Sequence, residues 1–193
     1  EFRHVPQGAG EAETTNITSL AHFGDGPLWL GYYSGRIERF EAGRLHVVPG
    51  DGRLPGMVRA MARTRDGVVW VATDTGPRRI EGGRVVPLTH EWAYPSDESE
   101  FLVVDREGTL WVATGHSLVF LREGDRAITE VALPLSDDVA MTVGPDGRVW
   151  VSDARLGTFA LPAGLARAST VALRTVATPT EPLFAKRLLF DAS

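Results

Sequence analysis

Cysteine is absent from the 193 residues, and the 20 basic residues are 19 Arg and the single Lys186. Without Cys there is no thiol nucleophile, no Cys-based zinc site and no disulfide scaffold. No apolar run approaches the roughly 20 residues that a membrane helix needs. A net charge of -5 and a pI near 5.5 argue against a sequence-independent grip on nucleic acid, because that binding comes mainly from Lys and Arg neutralising phosphates. Catalytic signatures are missing too: there is no Gly-x-Ser-x-Gly elbow, no His-Glu-x-x-His, no phosphate-binding glycine loop and no dinucleotide fingerprint. Helical periodicity is nearly absent. What remains, 43% hydrophobic residues with 21 Gly and 12 Pro, is enough for a packed core and rich in turn formers.

What is present is a repeat. Asp25-Gly26-Pro27-Leu28-Trp29-Leu30-Gly31 returns as Asp66-Gly67-Val68-Val69-Trp70-Val71-Ala72, as Glu107-Gly108-Thr109-Leu110-Trp111-Val112-Ala113 and as Asp146-Gly147-Arg148-Val149-Trp150-Val151-Ser152. The Trp residues of successive copies are 41, 41 and 39 positions apart. Four copies of an acidic-glycine turn followed by an apolar-Trp-apolar strand, at near-constant spacing, define a tandem array of one supersecondary unit. Within a unit the apolar residues alternate or cluster in short runs between Gly, Pro and Asp, the pattern of strands. The second unit reads as strands 58–64, 68–73, 78–80 and 85–88. Four antiparallel strands in about 40 residues form a β-propeller blade.

The fold expected is therefore an all-β propeller with four complete four-stranded blades and partial blades at both ends. The units run over 17–49, 58–88, 99–131 and 139–173, with partial units at 1–6 and 183–193, in a single propeller domain or part of one. The array is read as a piece of a larger ring of seven or more blades. The Asp-Gly pairs suggest two-residue hairpins of the mirror-image type, which need positive φ. Trp29, Trp70, Trp111 and Trp150, with Gly26, Gly67, Gly108 and Gly147, are read as structural, each indole filling the wedge between adjacent sheets.

If the first strand of each blade runs down the central channel, the acidic turns lie on the bottom face. The turns after each Trp strand and the links between units then share the top face, where loops on a rigid scaffold commonly bind ligands. The ligand-binding candidates are Tyr32, Tyr33, Arg59, Asp74, Trp92, Tyr94, His116, Asp153 and Arg155. Aromatic rings beside carboxylates and Arg suit a polar, ring-shaped ligand such as a sugar. Two plainer readings stand beside this one: Trp92 capping the gap between two blades, and Asp97, Glu98 and Glu100 as solvated charges rather than an acid/base set.

The units resemble the two-component regulator propeller repeats, which read approximately I-x-x-I/L-x-x-D-x-x-G-x-L-W-I/V-G-T. Ile17-Thr18-Ser19-Leu20, Asp25-Gly26, Leu28-Trp29-Leu30-Gly31 and Arg36-Ile37-Glu38-Arg39-Phe40 fit that template. Ala72, Ala113 and Ser152 replace its Gly, and Asp153 replaces its Thr. The resemblance implies a ligand-binding sensor of bacterial hybrid histidine kinases or diguanylate cyclases. It further implies a periplasmic or extracytoplasmic location, a small-molecule or carbohydrate ligand, the rest of the propeller and a downstream signalling domain as partners, and no enzymatic activity in these residues. Neither a cofactor nor a metal is expected, since lactonase-type propellers hold theirs with carboxylates and Asn and the sequence has only Asn16. The alternatives are a propeller lyase or hydrolase similar to the streptogramin lyases, with His116 as general base, and a protein-interaction scaffold.

Overall fold

The computed structural model describes residues 16–48, 53–86, 88, 90–96, 98–131, 133–167 and 185–186. These contain fifteen strands and two short 3-10 turns, His90–Trp92 and Leu165–Arg167. Strands β1 (Ile17–His22), β2 (Leu28–Tyr32), β3 (Ile37–Glu41) and β4 (Arg44–Val47) form the first antiparallel sheet, in chain order. The second contains β5 (Val58–Arg63), β6 (Val69–Thr73), β7 (Arg78–Glu81) and β8 (Arg84–Val86). The third contains β9 (Phe101–Val104), β10 (Leu110–Ala113), β11 (Leu118–Leu121) and β12 (Thr129–Val131). In the fourth, β13 (Val139–Val143), β14 (Val149–Asp153) and β15 (Gly157–Ala160) pair in the same order. Most of what would follow β15, and the partial units at 1–6 and 183–193, falls outside the described residues apart from 185–186.

The sheets pack face to face as propeller blades. First strands β1, β5, β9 and β13 are successive neighbours around the axis. Period-2 alternation divides each Trp strand between two wedges. Val69 and Val71 join Trp29, Ile37 and Val58 between the first and second blades, while Trp70 and Ala72 join Leu102, Val112 and Val119 between the second and third. Trp111 and Ala113 likewise pack with Met141, Val149 and Val151 of the fourth. All five residues of β6 are buried, which explains its unbroken apolar sequence.

The turn geometry departs from expectation. Arg63 pairs with Val69, and the Thr64 amide donates to Val68 O, leaving three residues in the loop. Gly67 N donates to Thr64 O and only Gly67 has positive φ, 88°. This fits a one-over-three turn closed by a left-handed glycine, the common three-residue hairpin. Gly108 and Gly147 repeat it; in the first blade Gly24, at φ 62°, takes the positive conformation instead of Gly26. The two-residue mirror-image turns lie elsewhere, between third and fourth strands, at Ala42-Gly43 (φ 49° and 78°) and Gly82-Gly83 (φ 54° and 80°).

Candidate functional site

On one face, each link between blades is sewn to the turns that follow the Trp strands. Leu54 N donates to Gly35 O at 2.8 Å, and Met57 N donates to the Asp74 carboxylate at 2.8 Å. Ser99 clasps Thr73: its Oγ accepts from Thr73 N at 2.9 Å and donates to Thr73 O at 3.1 Å. Ser136 donates to Asp153 Oδ2 through both its amide, at 2.6 Å, and its hydroxyl, at 2.8 Å. The loops of this face are thereby held on the sheets instead of hanging free. The acidic-glycine turns occupy the opposite face, where Arg65 reaches Arg106 O and the Glu123 carboxylate of the next blade.

The first strands of the four blades line a cavity of about 780 Å³. At its upper end Arg59 of β5 pairs with Glu100, just before β9, Nη1 to Oε2 at 2.6 Å. Glu100 is 6% exposed, and burial pushes its carboxyl above the ordinary carboxylate range; the Arg59 guanidinium opposes this, while Glu98, Asp137 and Asp74 add to it. Gly115 lies against this group: a Cβ there would stand 2.7 Å from Asp137 Oδ1 and 3.3 Å from Glu98 Oε2. Second, third and fourth blades thus bring one guanidinium and several carboxylates to a single rim, with exposed His116 following Gly115. The upper end can offer both donors and acceptors to a polar ligand. Among the described residues no group of three or more His, Asp or Glu is placed to hold a metal ion.

Of the residues singled out from sequence, Arg59 lines this cavity and His116 stands beside its rim. Tyr33 is 63% exposed on the first blade, next to Tyr32, which is buried. Tyr32 donates its hydroxyl to Glu38, whose other oxygen pairs with Arg36, and burial, followed by that hydrogen bond, raises the phenol far above its ordinary value. Asp153 is fully buried, and its second oxygen accepts from Arg155 N and Leu156 N, both at 2.9 Å. Burial would raise its carboxyl, but the Ser136, Leu156 and Arg155 donors together hold it below the usual range. Asp74 and Asp153 therefore anchor the links. Arg155 is spent on the carbonyls of Pro134 and Leu135. Tyr94 donates to Glu98 O at 2.6 Å, steadying the link that carries Glu98 and Glu100.

Trp92 goes elsewhere. Its carbonyl accepts from Ile128 N at 2.9 Å, which draws the 3-10 turn His90–Trp92 down the outside of the third blade. There its ring meets Trp70 edge-on, centroids 5.7 Å apart, in the wedge that Asp66 and Gly108 of the acidic turns also line. Asp97 lies outside the described residues. Sequence reading put Arg59 and the links that carry Glu98, Glu100 and Asp137 on one face but did not count these carboxylates among the ligand-binding candidates; the structure brings them toward Arg59.

The model for the two component regulator propeller matches residues 52–75, from the link into the second blade to the turn after its Trp strand. That stretch is similar to a two component regulator propeller repeat. No curated protein sequence matches it. Among solved structures, the extracellular domain of a protein described as a hybrid two component system of B. thetaiotaomicron is similar at TM-score 0.66 and 19% identity, over 91% of this chain and 25% of that one. A second such extracellular domain from the same organism gives TM-score 0.61 at 16% identity, covering 76% of this chain and 21% of the other. Virginiamycin B lyase from Staphylococcus aureus is similar at TM-score 0.62 and 16% identity, covering 79% and 54%. At these identities the likeness is one of fold. The chain spans about a quarter or less of the two extracellular domains and about half of the lyase.

Proposed function

We propose that these residues are part of the ligand-receiving propeller of a bacterial signal-transduction receptor, facing the extracytoplasmic side, with a small polar or carbohydrate ligand bound at the upper end of the channel. The observation that carries this reading is the rim where Arg59, Glu100, Glu98 and Asp137 converge above a cavity walled by the first strands. It is supported by the regulator-propeller repeat at 52–75 and by likeness to extracellular domains of two component systems. In this reading Arg59, His116 and Tyr33 contact the ligand, while Tyr32, Asp74, Tyr94, Asp153 and Arg155 position the loops that do so. Signal output belongs to a downstream domain beyond these residues. A thermal-shift screen of monosaccharides, oligosaccharides and amino acids against the complete ring is the test: a ligand that raises the midpoint and loses its effect in Arg59→Ala supports the reading. Uniform silence across the panel counts against it.

The likeness to virginiamycin B lyase favours one second reading, a propeller lyase or hydrolase with His116 as general base beside the Glu98 and Asp137 carboxylates. Absence of lactone turnover by the complete ring would remove it, and turnover left unchanged by His116→Ala would remove His116 as the base.

A further inference from the structure

The Arg59–Glu100 pair ties the first strand of the second blade to the start of the third across the channel rim. It is open to water at one end only: the Arg59 side chain is 32% exposed and that of Glu100 4%. A guanidinium does not give up its proton, and at this exposure it keeps water when its partner is lost. A buried carboxylate has no such recourse, and proton uptake removes its charge. The surroundings press the same way. Facing Glu100 are Glu98 on its own link, Asp137 on the link into the fourth blade, Asp74 on the turn after β6, and Tyr94. Asp74 is held by Met57 N and the Tyr94 hydroxyl by Glu98 O. The Glu98 and Asp137 carboxylates, which flank Gly115, have no hydrogen-bond or ion-pair partner among the described residues. Asp138 and Lys186 line the same cavity farther round. Negative charge is therefore in excess around Arg59, and Glu100 is the least hydrated carboxylate in the group.

We propose that Glu100 is a proton switch of the channel rim: on taking up a proton it releases Arg59, which turns to Glu98 and Asp137 or to a bound ligand. One proton passes from the medium to the Glu100 carboxylate, Arg59 keeps its own, and the rim becomes less negative by one charge. The tie between the second and third blades opens at the same step. This rests on the reading of the rim as the ligand-receiving end, and it adds the acidity of the medium to what that end responds to. Burial, opposed by Arg59 and reinforced by Glu98, Asp137 and Asp74, raises the Glu100 carboxyl. The switch therefore works at a higher pH than an ordinary glutamate would.

An NMR pH titration of the full chain, following the Glu100 carboxyl carbon and the Arg59 guanidinium signals together, tests the proposal. No ligand is added, so a negative result is distinct from silence in the thermal-shift screen. Glu100 is expected to titrate above the ordinary glutamate value of 4.5, and the Arg59 signals to move with the same midpoint. In Glu100→Gln they should stay still over that range. Glu98→Gln and Asp137→Asn should each lower the Glu100 midpoint by removing a neighbouring negative charge, and Arg59→Ala should raise it. The first two alter exposed side chains without partners, so folding is not at stake. A Glu100 midpoint at or below 4.5 would overturn the proposal, as would Arg59 signals that do not follow Glu100.

Discussion

A methyl group at position 31 has no room: a Cβ there would stand 2.3 Å from Val58 Cγ1 and 2.8 Å from Val58 Cβ. Gly31 follows the Trp strand pattern into the wedge, so its missing side chain sets how closely the first blade approaches β5. Gly31→Ala is expected to lower stability by about 1–3 kcal/mol, the usual cost of overpacking. In Gly31→Ala/Val58→Ala the combined loss should fall short of the sum of the single losses, as read from urea-unfolding midpoints. The template's glycine was visible in the sequence, and so were Ala72 and Ala113 at its later occurrences. Which residue crowds it was not, because Val58 belongs to the next unit. Asp153 is a comparable case. Its replacement of the template Thr was legible, but its burial under Ser136, Arg155 and Leu156 donors was not. Asp153→Ala should cost about 2–3 kcal/mol by leaving buried donors unmatched. Because the folded carboxyl titrates below its unfolded value, its contribution is complete above about pH 4 and lost as pH falls through the folded pKa. Asp153→Asn, which cannot titrate there, should show a shallower loss of stability on acidification over that range than the parent chain does.

At the level of elements, the decisive detail is where strand pairing stops. Strands and their order could be read from apolar runs and glycine punctuation, and β5 to β8 lie within one or two residues of the expected bounds. The hairpin type could not. Asp-Gly between two apolar runs signals a two-residue mirror-image turn closed by Arg65 and Val68, yet the closing bond joins Thr64 to Val68 and leaves a three-residue loop. Asp66 then uses its carboxylate on the Thr64 hydroxyl at 2.6 Å rather than adopting positive φ. In the third blade Asp105 ties the turn to the core. One oxygen accepts from Glu107 N and Thr109 N, and the other from Trp111 Nε1 at 2.8 Å. The mirror-image turn at Ala42-Gly43 carries local strain, since an alanine at φ 49° is disfavoured. Ala42→Asn should stabilise the chain by about 0.5–1 kcal/mol, because Asn tolerates the left-handed region. Gly43→Ala should destabilise it by a similar amount. Denaturant midpoints of the two variants should therefore move in opposite directions.

Across the molecule, stability accumulates wedge by wedge, because each sheet is dry only where another sheet faces it. Trp111 stands in a wedge walled on both sides by described strands, is 3% exposed and hydrogen-bonds Asp105. Trp150, at the same position of the fourth blade, is only half-buried, with Arg148 over its ring at 5.9 Å. The four indoles are equivalent in sequence, so the repeat alone assigns them equal weight, and the inequality arises from neighbours. Truncation should expose it. Trp111→Ala is expected to cost about 3–5 kcal/mol, the range for a fully buried aromatic, and Trp150→Ala distinctly less when both are measured in this chain by denaturant unfolding. In a longer chain that places another sheet against β14, the cost of Trp150→Ala should rise toward that of Trp111→Ala. Equal losses in the 193-residue chain would show that the indoles are buried by their own blade, and that stacking between blades contributes little to the stability of the array.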